Sequence, residues 1–264
     1  ATSASPAKSG TSSTVTISPG VARRFAMSGT GNVAAGVAHA LTITAQDTSG
    51  NTATGYTGLK TLSFSGANAS PDGNQPTVSN NTGNERNFSN TPNTEINFSN
   101  GIAAVSGNTN GLLRLRKVES ASIAVTDGTI STPVGGSLAV TVTPGGLGRF
   151  SVVMTSPQTN GIAFTGVNTI TAVDSFGNTA TSFSAASNTV TVTTPALGGT
   201  ITGLGSGLTN VLNQAGDFVS GVANVSAKLK YTGATGSSTI KATSASGKEG
   251  TSASPVTINV GAAT

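Results

Sequence analysis

Leu41-Thr42-Ile43-Thr44-Ala45-Gln46-Asp47-Thr48-Ser49-Gly50-Asn51-Thr52-Ala53-Thr54 and Thr169-Ile170-Thr171-Ala172-Val173-Asp174-Ser175-Phe176-Gly177-Asn178-Thr179-Ala180-Thr181 carry one pattern twice. In each, apolar and polar residues alternate with a period of two and then run into Asp-x-x-Gly-Asn. The alternation places Leu41 and Ile43 on one face of a half-buried strand. The aspartate that follows can accept backbone N–H groups across a turn, while Gly and Asn tolerate the positive φ of a tight reversal. Upstream of each pattern lies a second shared stretch, Pro19-Gly20-Val21-Ala22-Arg23-Arg24-Phe25 and Pro144-Gly145-Gly146-Leu147-Gly148-Arg149-Phe150. Phe25 recurs at Phe150, 125 positions on (150 − 25), and Asp47 at Asp174, 127 on (174 − 47). A repeat of that length is a whole small domain, far longer than a solenoid unit.

Further strands follow at close turn spacing. In the first repeat they are expected over 24–27, 39–45, 60–64, 95–98, 111–115 and 122–125, closed by 137–143. In the second they are expected over 150–153, 167–172, 188–193, 216–219, 225–230 and 239–242, closed by 256–260. About seven short strands per repeat, with no helical period, point to an all-β chain of Greek-key β-sandwiches. The closing strand occurs three times. Ser137 to Gly145 and Ser254 to Gly261 end the two repeats, and Ser13-Thr14-Val15-Thr16-Ile17-Ser18-Pro19-Gly20 stands as an extra copy in front. The boundaries are therefore an extension over 1–19, with Val15 and Ile17 as the apolar positions of its strand, and sandwiches over 20–145 and 146–264. Asn-rich residues 68–100 read as an exposed loop or added hairpin, and loops are where recognition usually resides.

Composition agrees and excludes several functions. Charged residues are only 8% of the 264, so the polar surface comes from hydroxyls and amides, and Thr and Val favour strand. There is no cysteine, hence no disulfide framework or thiolate metal site. The net charge of +4 is spread thinly. The one basic cluster, Arg114, Arg116 and Lys117, reads as a solvated strand face, and with aromatics at 4% and no tryptophan no nucleic-acid partner is expected. No apolar run approaches the ~20 residues of a membrane helix, so no membrane insertion is expected. The small-residue start suits a product freed from its signal peptide, and the expected location is extracellular or at the cell surface.

Asp47, Gly50 and Asn51, and again Asp174, Gly177 and Asn178, are expected to build turns. Calcium would need several carboxylates, and neither turn has a second acid in its sequence neighbourhood, so no metal or other cofactor is expected. His39, the only histidine, reads as a partly exposed strand-edge residue. Gly29-Thr30-Gly31-Asn32-Val33-Ala34 matches a dinucleotide fingerprint only faintly, and a strand rather than a helix follows it. No nucleophile–base pairing is marked, and no enzyme activity is expected. Asn-x-Ser/Thr sequons at Asn68, Asn80, Asn87, Asn97 and Asn224 are the expected acceptors wherever exported proteins are glycosylated.

The run Leu41 to Gly58, with its Ala-x-Asp-x-x-Gly-Asn-x-x-x-Gly-Tyr-x-Gly, resembles the tandem bacterial immunoglobulin-like repeats of invasin- and adhesin-type surface proteins. The second copy follows that pattern until Thr181, where Ser182-Phe183-Ser184 stands in place of Gly55-Tyr56-Thr57-Gly58. The resemblance implies an extracellular scaffold of immunoglobulin-like sandwiches and no catalytic residues. The surplus strand adds an expectation of its own: a structural subunit of a fibre or surface layer, joined head to tail to copies of itself by strand donation. The alternative is an adhesin or carbohydrate-binding stalk, reaching other surface proteins or glycans through the Asn-rich loops.

Overall fold

The computed structural model describes residues 13–89 and 94–261. Among them the chain is all β, with 23 short strands and one three-residue 3-10 turn, Ala215–Asp217. The first half contains β1 (Arg24–Gly29), β2 (Asn32–Ala34), β3 (Ala38–Gln46), β4 (Gly58–Ser65), β5 (Thr77–Ser79), β6 (Glu85–Asn87), β7 (Thr94–Phe98), β8 (Ile102–Ala104), β9 (Leu112–Arg114), β10 (Ser120–Thr126) and β11 (Leu138–Thr143). One sheet runs β1-β3-β9-β5-β6, with β8 also on β3, and the other runs β2-β11-β10-β4-β7. All pairings are antiparallel except β2 with β11. The period-two alternation decides what faces inwards: His39, Leu41, Ile43 and Ala45 of β3 are buried, and so are Ala121, Ile123 and Val125 of β10. The core forms where the two sheets meet, Phe25, Leu41 and Ile43 packing with Leu62, Phe64, Ile123 and Val140.

The second half repeats the plan with β12 (Arg149–Met154), β13 (Gln158–Thr159), β14 (Asn168–Val173), β15 (Val190–Thr193), β16 (Thr200–Thr202), β17 (Val211–Leu212), β18 (Val222–Asn224), β19 (Lys230–Thr232), β20 (Gly236–Ser238), β21 (Lys241–Ser244), β22 (Glu249–Thr251) and β23 (Val256–Asn259). Phe150 lies opposite Ala172 as Phe25 lies opposite Ala45. β13 joins β23 in parallel as β2 joins β11. Its buried apolar residues form a second cluster, Phe150 to Ile258, that shares no residue with the first.

An aromatic triad repeats in space where the sequence loses track. Tyr56 meets Phe25 and Phe98 edge-on, with ring centroids 5.7 and 4.9 Å away. Phe183 meets Phe150 and Phe218 in the same way at 5.6 and 4.8 Å. The departure at Ser182-Phe183-Ser184 therefore replaces Tyr56 by an aromatic ring of nearly the same volume. What is lost is the hydroxyl, which in Tyr56 donates to Asp127 Oδ2 at 2.6 Å.

Four expectations need correction. Residues 216–219 are not a strand, because Asp217 Oδ2 accepts the N–H groups of Asn213 and Gln214 and closes a 3-10 turn. The expected strand over 225–230 is broken by a turn at Ala227, φ 58°, leaving β18 and β19 on either side. The polar stretch 68–100 supplies an added hairpin, β5–β6, and the expected strand β7, but it is not exposed throughout, since Thr77, Val78 and Ser79 of β5 and Thr94, Ile96 and Phe98 of β7 are buried. Residues 13–18 belong to no strand of these sheets.

His39 also departs from its expected exposure. It is 6% exposed on β3, facing Leu113 across the sheet, and neither ring nitrogen has a hydrogen-bond partner. Burial lowers its pKa. The unfolded chain therefore takes up a proton first as the pH falls through 6.5, and the folded state loses stability below that point. His39→Leu is expected to flatten the pH dependence of denaturant midpoints between about pH 7.5 and 5.5. In the aromatic triads, Phe98→Ala and Phe218→Ala are each expected to cost ~3–5 kcal/mol in urea unfolding. Tyr56→Phe, which keeps the ring, is expected to cost only about 1 kcal/mol.

Candidate assembly interface

The two Asp-x-x-Gly-Asn turns are built alike. Asp47 Oδ1 accepts the N–H groups of Ser49 and Asn51, both at 2.9 Å. Its Oδ2 accepts Gly20 N–H at 3.0 Å and Asn51 Nδ2 at 3.1 Å. In the second half Asp174 Oδ1 accepts from Phe176 N and Asn178 N, and Oδ2 from Gly145 N and Asn178 Nδ2, at 2.8–3.0 Å. Gly50 and Gly177 supply the positive φ, 90° and 84°, that brings these donors round. The turn closes on itself and also pins the residue that leads into each half, Gly20 or Gly145.

Four donors fill the acceptor capacity of each carboxylate. No oxygen is left for a cation, and among the described residues no three His, Cys, Asp or Glu gather as metal ligands. Asp47 is buried, and the Gly20 N–H, followed by the Asn51 amide, holds its pKa down to about 2.

The copies differ in what lies beyond the turn. Asn178 is buried against the first half, donating from Nδ2 to Arg116 O at 2.8 Å and accepting Val118 N–H on Oδ1 at 2.9 Å. Arg149 pairs with Asp72 at 2.8 Å, and Asp72 N–H donates to Phe176 O. The Phe176 ring covers Gly36, where an added Cβ would stand 2.3 Å from it, and the Arg116 guanidinium lies 6.0 Å from the ring centroid. Arg114 and Arg116 do not form the solvated face expected of them. Both pair with Glu85, at 2.7 and 2.9 Å, and Arg116 also donates to Thr77 Oγ1 and Gln75 O. Burial would raise the Glu85 pKa, but Thr77 and the two arginines hold it below the usual carboxylate range.

At the front of the first half no described residue makes the equivalent contacts. Asn51 is exposed, and Arg24 bonds only sideways to Gln46 at 3.1 Å. Val15 and Ile17 are 76% and 88% exposed. A groove of about 440 Å³ lies at the foot of this segment, lined by Pro19, Val21, Ala22, Tyr56 and Ile130 among others. In the second half Leu147, at the position of Ala22, packs partly buried against its core as Ala22 does against the first.

Of the sequon residues, Asn68, Asn87, Asn97 and Asn224 are exposed, although Asn68 bonds to Glu119 through both its backbone and its amide. Asn80 is not available at the surface. It is 3% exposed, and its Oδ1 accepts from Thr82 N, Thr82 Oγ1 and Asn84 N, which makes it a turn residue. Sequence reasoning missed Phe176, Arg149, Asp72 and Gly36. The available signal was Phe176 itself, a large apolar residue at the position where the first turn has Ser49. No family model and no curated protein matches the chain.

The Asp47 clamp has an acid limit. Because its folded pKa lies below the ordinary 3.8, its contribution is complete above that pH and is lost as the pH falls towards about 2. The Gly20 amide resonance is expected to titrate in that window by NMR, and Asp47→Asn is expected to abolish the titration.

Proposed function

We propose that the chain consists of two tandem immunoglobulin-like Greek-key β-sandwiches and an N-terminal donor strand. We further propose that it serves as a structural subunit of an extracellular fibre or surface layer, assembling head to tail. The observation that carries this reading is the state of residues 13–18. Val15-Thr16-Ile17 repeats the pattern of Val140-Thr141-Val142 and Val256-Thr257-Ile258. Those two copies lie in sheets with their apolar side chains buried, whereas Val15 and Ile17 stand in solvent beside no strand of the described residues. The Pro-Gly that follows is nonetheless clamped by Asp47, just as Pro144-Gly145 is clamped by Asp174.

An extended segment that alternates apolar and polar, is fixed at one end and lacks a sheet has the properties of a donor strand. Burying Val15 and Ile17 in a neighbour would contribute about 1.5–3 kcal/mol each, besides new main-chain hydrogen bonds. A contact of this kind does not close on itself and yields filaments. The low charge of the chain leaves little repulsion between subunits. Nothing in this role requires a catalytic residue or a cofactor. The glycan-binding alternative is disfavoured, because much of the Asn-rich stretch is used as β5, β6 and β7.

Negative-stain electron microscopy of the full chain, a version lacking residues 1–19 and the double variant Val15→Glu/Ile17→Lys tests the proposal. Filaments are expected from the full chain and dispersed two-lobed particles from the other two. Dispersed particles from all three, or filaments from the double variant, would overturn strand donation.

A further inference from the structure

We infer that the Asn51 turn is a second contact of the same assembly, docking on the far end of the second half of another copy. This rests on the head-to-tail reading, but on different residues. The internal junction shows what such a turn does when a neighbour stands in front of it. Asn178 grips the Arg116 carbonyl and the Val118 amide, and Arg149 reaches Asp72. The first half presents the same set, Asp47, Gly50, Asn51 and Arg24 at the positions of Asp174, Gly177, Asn178 and Arg149, with Asn51 exposed. The Asp47 clamp already holds the amide plane of Asn51 through its Nδ2, as Asp174 holds Asn178. The gripping geometry is therefore formed before any partner arrives.

The far end of the second half has the matching edge. Gly36 N–H donates to Leu115 O and Gly161 N–H donates to Tyr231 O, so Tyr231 takes the place of Leu115. Thr232 and Ala234 then take the places of Arg116 and Val118, and both are exposed. Gly161 repeats the positive φ of Gly36, 77° against 79°. The turn Ser70-Pro71-Asp72-Gly73-Asn74 corresponds to Thr194-Pro195-Ala196-Leu197-Gly198, each closed by a bond between its first and fifth residues. Ala196 differs from Asp72 in two ways: exposed, it lacks the carboxylate that receives Arg149, and its N–H donates to Ser238 Oγ where that of Asp72 reaches Phe176 O. On the other side of the contact Ser49 replaces Phe176. The joint between copies is thus a lighter version of the joint within one copy: Asn51 meets Thr232, which is also paired with Thr200 across β16–β19, and the ion pair, the bond from the Asp72 N–H and the ring are lacking.

The missing carboxylate gives a gain-of-function test. The concentration at which the full chain begins to assemble is measured by light scattering, with filaments checked by electron microscopy and folding by circular dichroism. Ala196→Asp supplies Arg24 with the carboxylate that Arg149 finds in Asp72, and is expected to lower that concentration roughly 2–5-fold. Adding Arg24→Ala to the Ala196→Asp chain is expected to restore the original value. Asn51→Ala, which removes two hydrogen bonds to the neighbour, is expected to raise it by about tenfold or more. Filaments that form at an unchanged concentration in both Ala196→Asp and Asn51→Ala would overturn the docking contact and leave strand donation standing. The absence of filaments from every form, the unaltered chain included, would overturn both.

Discussion

A carboxylate withdrawn from water has to be surrounded by donors, and the organisation of this protein follows from how Asp47 and Asp174 meet that demand. Each collects three backbone N–H groups and one amide from a turn and a lead-in segment far apart in sequence. Desolvating either aspartate without all four partners would be costly, so the turn, the β1- or β12-proximal lead-in and the Asn side chain are fixed together or not at all. The Asn side chain, held on one side by the carboxylate, projects its remaining hydrogen-bonding groups outward. In the second half they land on a strand edge and join the halves.

Polar groups do most of the specifying in a chain so poor in charge. The sheets enclose two cores of ordinary aliphatic and aromatic side chains, yet the positions that decide how elements meet are amides and hydroxyls. Asn80 organises the β5–β6 hairpin from inside, Asn110 bridges Asn97 and Ala104, and Asn168 ties Thr155 to the segment before β14. Among the described residues His39 and the Asn81 Oδ1 are exceptions, buried polar groups without a hydrogen-bond partner, the His39 ring held in place by the alternation of its strand.

Much of the fold was legible in the sequence because its signals are local. Period-two alternation marked β3, β10, β14 and β15, and the duplicated Asp-x-x-Gly-Asn announced both turns and their equivalence. What escaped was set by contacts across the fold. The 3-10 turn at Ala215–Asp217 depends on Asp217 reaching back to Asn213, which competes with an otherwise strand-like Phe218-Val219. The equivalence of Phe183 with Tyr56 shows only when Phe150 and Phe218 are seen around it. At the interface, the turn residues were visible and their purpose was not, because Asp72, Gly36 and the Arg116–Val118 edge lie far from them in sequence.

The segment Pro144-Gly145-Gly146-Leu147-Gly148 has the composition of a hinge, yet its geometry is that of a weld. Gly145 is bonded through its N–H to Asp174, and Gly148 through its N–H to Val173 O at 2.8 Å. A side chain at Gly148 would strike the Ser175 nitrogen at 2.6 Å. Glycine serves here as clearance for close approach rather than as slack. With Leu147 packed against the second core and Asn178 gripping the first half, the connector retains few free torsions. A hinge there would have to give up the Asn178 bonds to Arg116 and Val118 and the Arg149–Asp72 ion pair before it could swing, so glycine content is no measure of freedom in this connector.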